Sequence, residues 1–138
     1  ALGGSERALE EAVKFSIEHI QFGTPIAQKQ AIYDYIADAK AQIEALRCLI
    51  TYAAWLADSQ QNFSQYASIA KLFGARTAYQ VTHKMLQVHG GYGYMKEYAI
   101  ERYYRDCRAL EIIEGTSQIQ QFLIARDIYQ AEGLKIRP

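Results

Sequence analysis

The run Gln28-Lys29-Gln30-Ala31-Ile32-Tyr33-Asp34-Tyr35-Ile36-Ala37-Asp38-Ala39-Lys40-Ala41-Gln42-Ile43-Glu44-Ala45-Leu46-Arg47-Cys48-Leu49-Ile50 continues without glycine or proline to about Ser59. Within it Ile32, Ile36, Ala39, Ile43, Leu46, Ile50, Ala53 and Ala57 alternate spacings of four and three. That is the stripe left by a 3.6-residue period, so the run is expected to be one long helix packed lengthwise against partners. Such a helix belongs in a bundle.

The flanks support the same architecture. Leu9, Ala12, Val13, Ser16, Ile17 and Ile20 mark one face of an earlier helix, which breaks at Phe22-Gly23-Thr24-Pro25. From Phe63 to Val88 the residues Tyr66, Ile69, Ala70, Phe73, Thr77, Val81, Met85 and Val88 mark a third helix. It carries Gly74 at a cost of roughly 1 kcal/mol relative to alanine. It ends at Gly90-Gly91. A short helix over about Ile100 to Arg108 and a last one over about Ser117 to Ala131, striped by Ile119, Leu123, Ala125 and Ile128, complete the chain. No segment alternates with period two. The expected fold is all-α: an up-and-down four-helix-type bundle with an additional short helix, residues 1–138 as one domain, and a frayed tail from Gly133.

Bulk properties exclude several function classes. The chain has 138 residues, 50% of them hydrophobic, enough for a sizeable core. Fifteen Lys and Arg balance fifteen Asp and Glu, leaving no basic field for nucleic acid or anionic lipid. No apolar run approaches the roughly 18 to 20 residues of a membrane span, and Ala1-Leu2-Gly3-Gly4-Ser5 does not read as a signal peptide, so a soluble protein is expected. Cys48 and Cys107 form neither a disulfide framework nor a metal pattern and are expected to be reduced thiols. None of His19, His83 and His89 has a glutamate three positions earlier, which excludes a di-iron bundle, and no metal is expected. Gly90-Gly91-Tyr92-Gly93 follows a helix instead of a strand, so a Rossmann site fails as well.

Two stretches point to chemistry. Ile112-Ile113-Glu114-Gly115-Thr116-Ser117-Gln118-Ile119-Gln120 sets a carboxylate in a turn directly before a helix that Thr116 or Ser117 can cap. Leu110, Ile112 and Ile113 suggest an apolar setting, in which desolvation tunes a carboxyl toward general-base work. Gln87-Val88-His89-Gly90-Gly91-Tyr92-Gly93-Tyr94 ends a helix in glycines that let backbone approach a ligand. Together these runs resemble the acyl-CoA dehydrogenase family, of the short- and medium-chain type.

The resemblance implies a set of roles. Glu114 would remove the α-proton of an acyl-CoA thioester while hydride passes from the β-carbon to flavin N5 of FAD, and its backbone N–H would bind the thioester carbonyl. Ile113 and Gly115 would line the acyl site. Thr116 and Gln118 would touch FAD of their own subunit, and Gln87, Gly90 and Gly91 that of a neighbour. His19-Ile20-Gln21-Phe22-Gly23-Thr24-Pro25-Ile26 resembles the family's Arg-x-Gln-Phe-Gly-x-Pro-Ile, which covers the partner's FAD pyrophosphate, so His19, Gln21 and Phe22 join the cofactor set. Histidine replaces the arginine there, and an imidazole is only partly charged near pH 7 and lacks the bidentate fork. Arg102, Arg105 and Arg108, with Asp106, resemble a structural ion-pair helix that holds the catalytic loop.

The resemblance covers only the family's C-terminal helical domain; the N-terminal helical and middle β domains have no counterpart. It implies a homo-oligomer, a tetramer, passing electrons to an acceptor such as an electron-transfer flavoprotein, in the bacterial cytoplasm or the mitochondrial matrix, within fatty acid metabolism. The alternative is a catalytically silent, dehydrogenase-like oligomerisation module whose flavin binding is weakened at His19.

Overall fold

The structure, a computed structural model, describes residues 1–137. Five helices follow in order: α1 (Leu2–Glu18), α2 (Gln30–Asp58), α3 (Ser64–His89), α4 (Ile100–Ala109) and α5 (Ser117–Ala131). The chain is all-α apart from one feature that the sequence did not announce. Ile20–Gln21 (β1) and Thr24–Pro25 (β2) pair antiparallel as a two-residue ribbon, with Gln21 opposite Thr24. Phe22 at φ 53° and Gly23 at φ 80° make its turn, a left-handed pair that fits a tight hairpin connection.

Helix α3 is the centre of the bundle, packing against α1, α2, α4 and α5. Its buried residues therefore run around more than one face: Ser68, Gly74, Ala75, Thr77, Ala78, Val81, Thr82, Met85, Val88 and His89. Phe73, expected in the core, is exposed at 37%. Gly74 costs helix propensity but earns its place where helices meet. A Cβ there would sit 3.1 Å from Leu46 Cδ1 of α2.

Helix α1 begins at Leu2, earlier than its expected face from Leu9, because Ser5, Ala8, Ala12 and Ser16 form a small-residue stripe that lies close on its neighbours. Val13 is only partly buried, and Ile17 and Ile20 stay exposed. In α2 the expected seam holds through Ala39, Ile43 and Leu46, then changes. The N-terminus of α1 lies beside Leu46, so the last turns of α2 run past it, burying Leu56 while Ile50 and Ala57 face outward. Ion pairs tie the three long helices: Arg47 to Glu6, and Lys84 to Asp38, whose carboxyl Lys84 holds below the usual carboxylate range.

The α5 stripe is also displaced. Ser117 and Gln120 are its buried residues, whereas Ile119 and Ile128 are about half exposed. The tail is pinned at its start: Gly133 at φ 83° and the Leu134 N–H donating to the Tyr129 carbonyl close α5 with a Schellman turn. Both cysteines are free thiols, Cys48 exposed and Cys107 buried, the latter pushed up in pKa by that burial.

Candidate functional site

The first candidate region is the turn between α4 and α5. Leaving α4, the chain makes tight bonds, Ile112 and Ile113 N–H to the Ala109 carbonyl, then enters left-handed backbone at Glu114 (φ 51°) and Gly115 (φ 93°). A Cβ at Gly115 would lie 2.4 Å from the mobile end of the Gln120 side chain, and the φ of 93° itself favours glycine there. Thr116 is the cap: its Oγ1 accepts from the Ile119 N–H at 3.3 Å, and Ser117 donates its N–H to the Glu111 carbonyl at 3.1 Å. The Ser117 hydroxyl is buried with no partner.

The turn is also tethered from outside. Lys71 Nζ on α3 donates to the Leu110 carbonyl at 2.6 Å, satisfying an acceptor at the end of α4. The expected apolar setting for Glu114 is not found. Ile112 and Ile113 are 57% and 50% exposed, and Glu114 is exposed too, because none of the described residues covers this end of the bundle. Thr116, Ser117 and Gln118 share a shallow pocket of about 260 Å³ with Arg108, Glu111 and Ile112.

Two of the three arginines of α4 pair as expected in kind but not in partner, and Arg102 joins no ion pair among the described residues. Arg105 meets Glu101 at 3.5 Å and Arg108 meets Glu111 at 2.7 Å, while Asp106 joins no ion pair among the described residues. Arg108 also lies over the Tyr79 ring, 5.5 Å from its centroid.

The second region is an open cleft of about 580 Å³ between the ribbon and the end of α3. It brings together His19, Gln21, Gln87, Gly90 and Gly91, five residues that the sequence placed in two distant segments. At Gly90 the chain leaves α3 with φ 57° and runs through a 3-10 turn to Tyr94. Neither Gly90 nor Gly91 has an atom within 4 Å of where a Cβ would stand, so their backbone faces open space. Phe22 is not in the cleft wall; it caps the ribbon, 94% exposed.

Aromatic rings form the floor. Phe15 stacks on His19 at 4.9 Å and on His89 at 4.5 Å, and Tyr92 meets both Phe15 and His19. His89 Nδ1 lies 2.7 Å from the Met85 carbonyl and its burial disfavours the protonated form. Lys29 joins the wall at the start of α2. Sequence periodicity could not find Phe15, Lys29 or Tyr92, because only the tertiary fold brings α1, α2 and the 3-10 turn to one place.

The two regions do not meet within one chain. The turn is fastened to α3 at Lys71 and the cleft at Gln87, sixteen residues on, or about 24 Å of helix. Among the described residues no group of three or more His, Cys, Asp and Glu could hold a metal ion, and no helix is long and apolar enough to cross a membrane.

Comparison with known proteins places this architecture. The family model described as acyl-CoA dehydrogenase, C-terminal domain, matches residues 1–129. The caffeyl-CoA reductase-Etf complex subunit CarC of Acetobacterium woodii is 46% identical over 125 residues, covering 91% of this chain and 33% of that protein. The mitochondrial short-chain specific acyl-CoA dehydrogenase of Bos taurus is 42% identical, covering 91% of this chain and 30% of that protein. Butyryl-CoA dehydrogenase from Megasphaera elsdenii superposes with a TM-score of 0.91 at 38% identity, covering 93% of this chain and 33% of that one. The chain thus spans about a third of the length of its relatives. It belongs to the acyl-CoA dehydrogenase family and corresponds to that family's C-terminal domain.

Proposed function

We propose that the chain is the C-terminal domain of a FAD-dependent acyl-CoA dehydrogenase, in which Glu114 is the base that takes the α-proton of an acyl-CoA thioester. The observation that carries this reading is the turn itself: a carboxylate held in left-handed backbone between a tethered helix end and a capped helix start. Backbone of this kind is retained at functional sites more readily than in ordinary loops. Glu114 would take the proton on its carboxylate, and its own backbone N–H would donate to the thioester carbonyl, stabilising the negative charge that grows there as the proton leaves. Ile113 and Gly115 would contact the acyl portion. FAD, when bound, accepts the hydride from the β-carbon, leaving an α,β-unsaturated thioester. One relative is named as a subunit of a caffeyl-CoA reductase, the reductive counterpart of the reaction proposed here.

The chemistry of the cleft fits such a cofactor. Gln21 and Gln87 offer amides, Gly90 and Gly91 offer open backbone, and no Asp or Glu lines the wall to repel a pyrophosphate. We assign Thr116 and Gln118 to FAD of the same subunit, and His19, Gln21, Phe22, Gln87, Gly90 and Gly91 to that of a neighbour. The helix length between the regions and the exposed Ile17, Trp55, Phe73, Ile119 and Ile128 support a homo-oligomer, a tetramer, over a monomer. An electron-transfer flavoprotein is the proposed acceptor, since one relative is a subunit of a complex named for it. The compartment proposed is the bacterial cytoplasm or, following another relative's name, the mitochondrial matrix.

Glu114→Gln in the full-length protein tests this. The variant keeps the side-chain shape and the backbone N–H but loses the proton acceptor. Flavin reduction by saturating acyl-CoA, followed by stopped flow, is expected to fall by roughly 10² to 10⁴ with ligand affinity little changed. Reduction within about threefold of wild type would place the base elsewhere. A wild-type protein without flavin absorbance would favour the silent oligomerisation module.

A further inference from the structure

The cleft holds an imbalance of charge that the sequence comparison alone does not explain. Its titratable residues are His19, Lys29, His89 and Tyr92, and no carboxylate accompanies them. His89 is buried against Phe15 and bonded to the Met85 carbonyl, an arrangement suited to a neutral ring. The His19 ring is held by stacking on Phe15 and by the edge of Tyr92, with Nε2 3.3 Å from Gln21 Nε2. That contact ties the ring to the Gln21 amide, its direction set by the ring tautomer and the amide's orientation. Lys29 differs from both. It joins no ion pair among the described residues, stands exposed where α2 begins, and faces the same space as Gln21 and Gln87.

We propose that Lys29 supplies the fixed positive charge that meets the phosphoanhydride of a dinucleotide in this cleft, the task that the resemblance gives to an arginine where His19 now stands. The proposal rests on the FAD assignment above and adds the residue that answers the missing guanidinium. An ammonium group stays protonated across the whole neutral range, whereas an imidazole does not. It acts as a mobile point charge on a long stem, so it can reach a phosphate without the exact placement that a bidentate arginine needs. No acid lines the cleft wall, and Glu11, whose charge acts on His89, lies outside it. His19 then serves as a ring that holds Phe15, Gln21 and Tyr92 in place.

The test is FAD titration of the full-length apoprotein, read by quenching of flavin fluorescence, for wild type, Lys29→Met, Lys29→Arg and His19→Gln at pH 6 and pH 8. Losing one charge-assisted contact from Lys29→Met is expected to raise Kd by about tenfold, with Lys29→Arg restoring most of it. His19→Gln is expected to raise Kd by less than Lys29→Met does, and the change of pH to move it by less than about threefold. Wild type that binds FAD while Lys29→Met binds within about twofold overturns the role of Lys29 and leaves the FAD assignment standing. A wild-type Kd that rises about tenfold from pH 6 to pH 8, unchanged by Lys29→Met, puts the charge on His19 instead. Wild type that binds no FAD at all overturns both claims together.

Discussion

His89 shows how one side chain couples the cleft to stability. Burial against Phe15 disfavours its protonated form more than the Met85 carbonyl and the nearby Glu11 favour it, so its pKa lies below the ordinary histidine value of 6.5. The unfolded chain therefore takes up a proton first as pH falls, and the contribution of His89 is present above about pH 6.5 and lost below it. Thermal unfolding between pH 7.5 and 5.5 should show the midpoint dropping in wild type and a shallower drop in His89→Gln, whose amide can still donate to Met85. Equal slopes for the two proteins would remove His89 from the acid response. Glu114 is the contrasting residue. Its turn position and a cap at Thr116 or Ser117 were legible from Gly115 and the helix pattern, because cap chemistry is local; the structure places the cap on Thr116. Its surroundings were not, since Ile112 and Ile113 are apolar by sequence yet half exposed in the fold.

At the level of elements, local periodicity gave five helices with ends close to those observed except at the start of α1, and it failed where a partner decides. The stripe Ile119, Leu123, Ala125 and Ile128 is real, yet α5 buries Ser117 and Gln120 against the bundle and turns Ile119 and Ile128 outward. A period says that a helix has an apolar face, not which surface covers it. The ribbon escaped for a related reason: two residues per strand are too few for alternation to register. Lys71 is likewise silent in sequence, lying 39 residues from the carbonyl it holds. Its bond joins α3 to the end of α4 and so fixes the turn that carries Glu114. Lys71→Met should leave the Leu110 carbonyl without its donor at a cost of about 1 to 2 kcal/mol, while Lys71→Arg should retain most of it. Hydrogen exchange is the measurement: amides over Glu111 to Ser117 should exchange faster in Lys71→Met, with those of α1 and α2 unchanged. Unaltered exchange in the turn would show that Lys71 holds nothing there.

At the scale of the whole molecule, the bundle presents the proposed base at one place and the proposed cofactor cleft at another, fastened to α3 about 24 Å apart. A single copy cannot use both on one substrate, so the account requires Glu114 of one subunit to work beside the cleft of another. Subunit complementation reads this directly. One variant carries Glu114→Gln with an intact cleft; a second keeps Glu114 but has Gln21→Ala and Lys29→Met in the cleft. Assayed at FAD too dilute to load the weakened cleft, each should be nearly inactive as a homo-oligomer. Co-expressed and purified as hybrids through two different tags, they should regain acyl-CoA oxidation, because a hybrid contains sites with an intact base facing an intact cleft. Hybrids that assemble and remain as inactive as their parents would contradict the claim that the site is built from two copies of this chain.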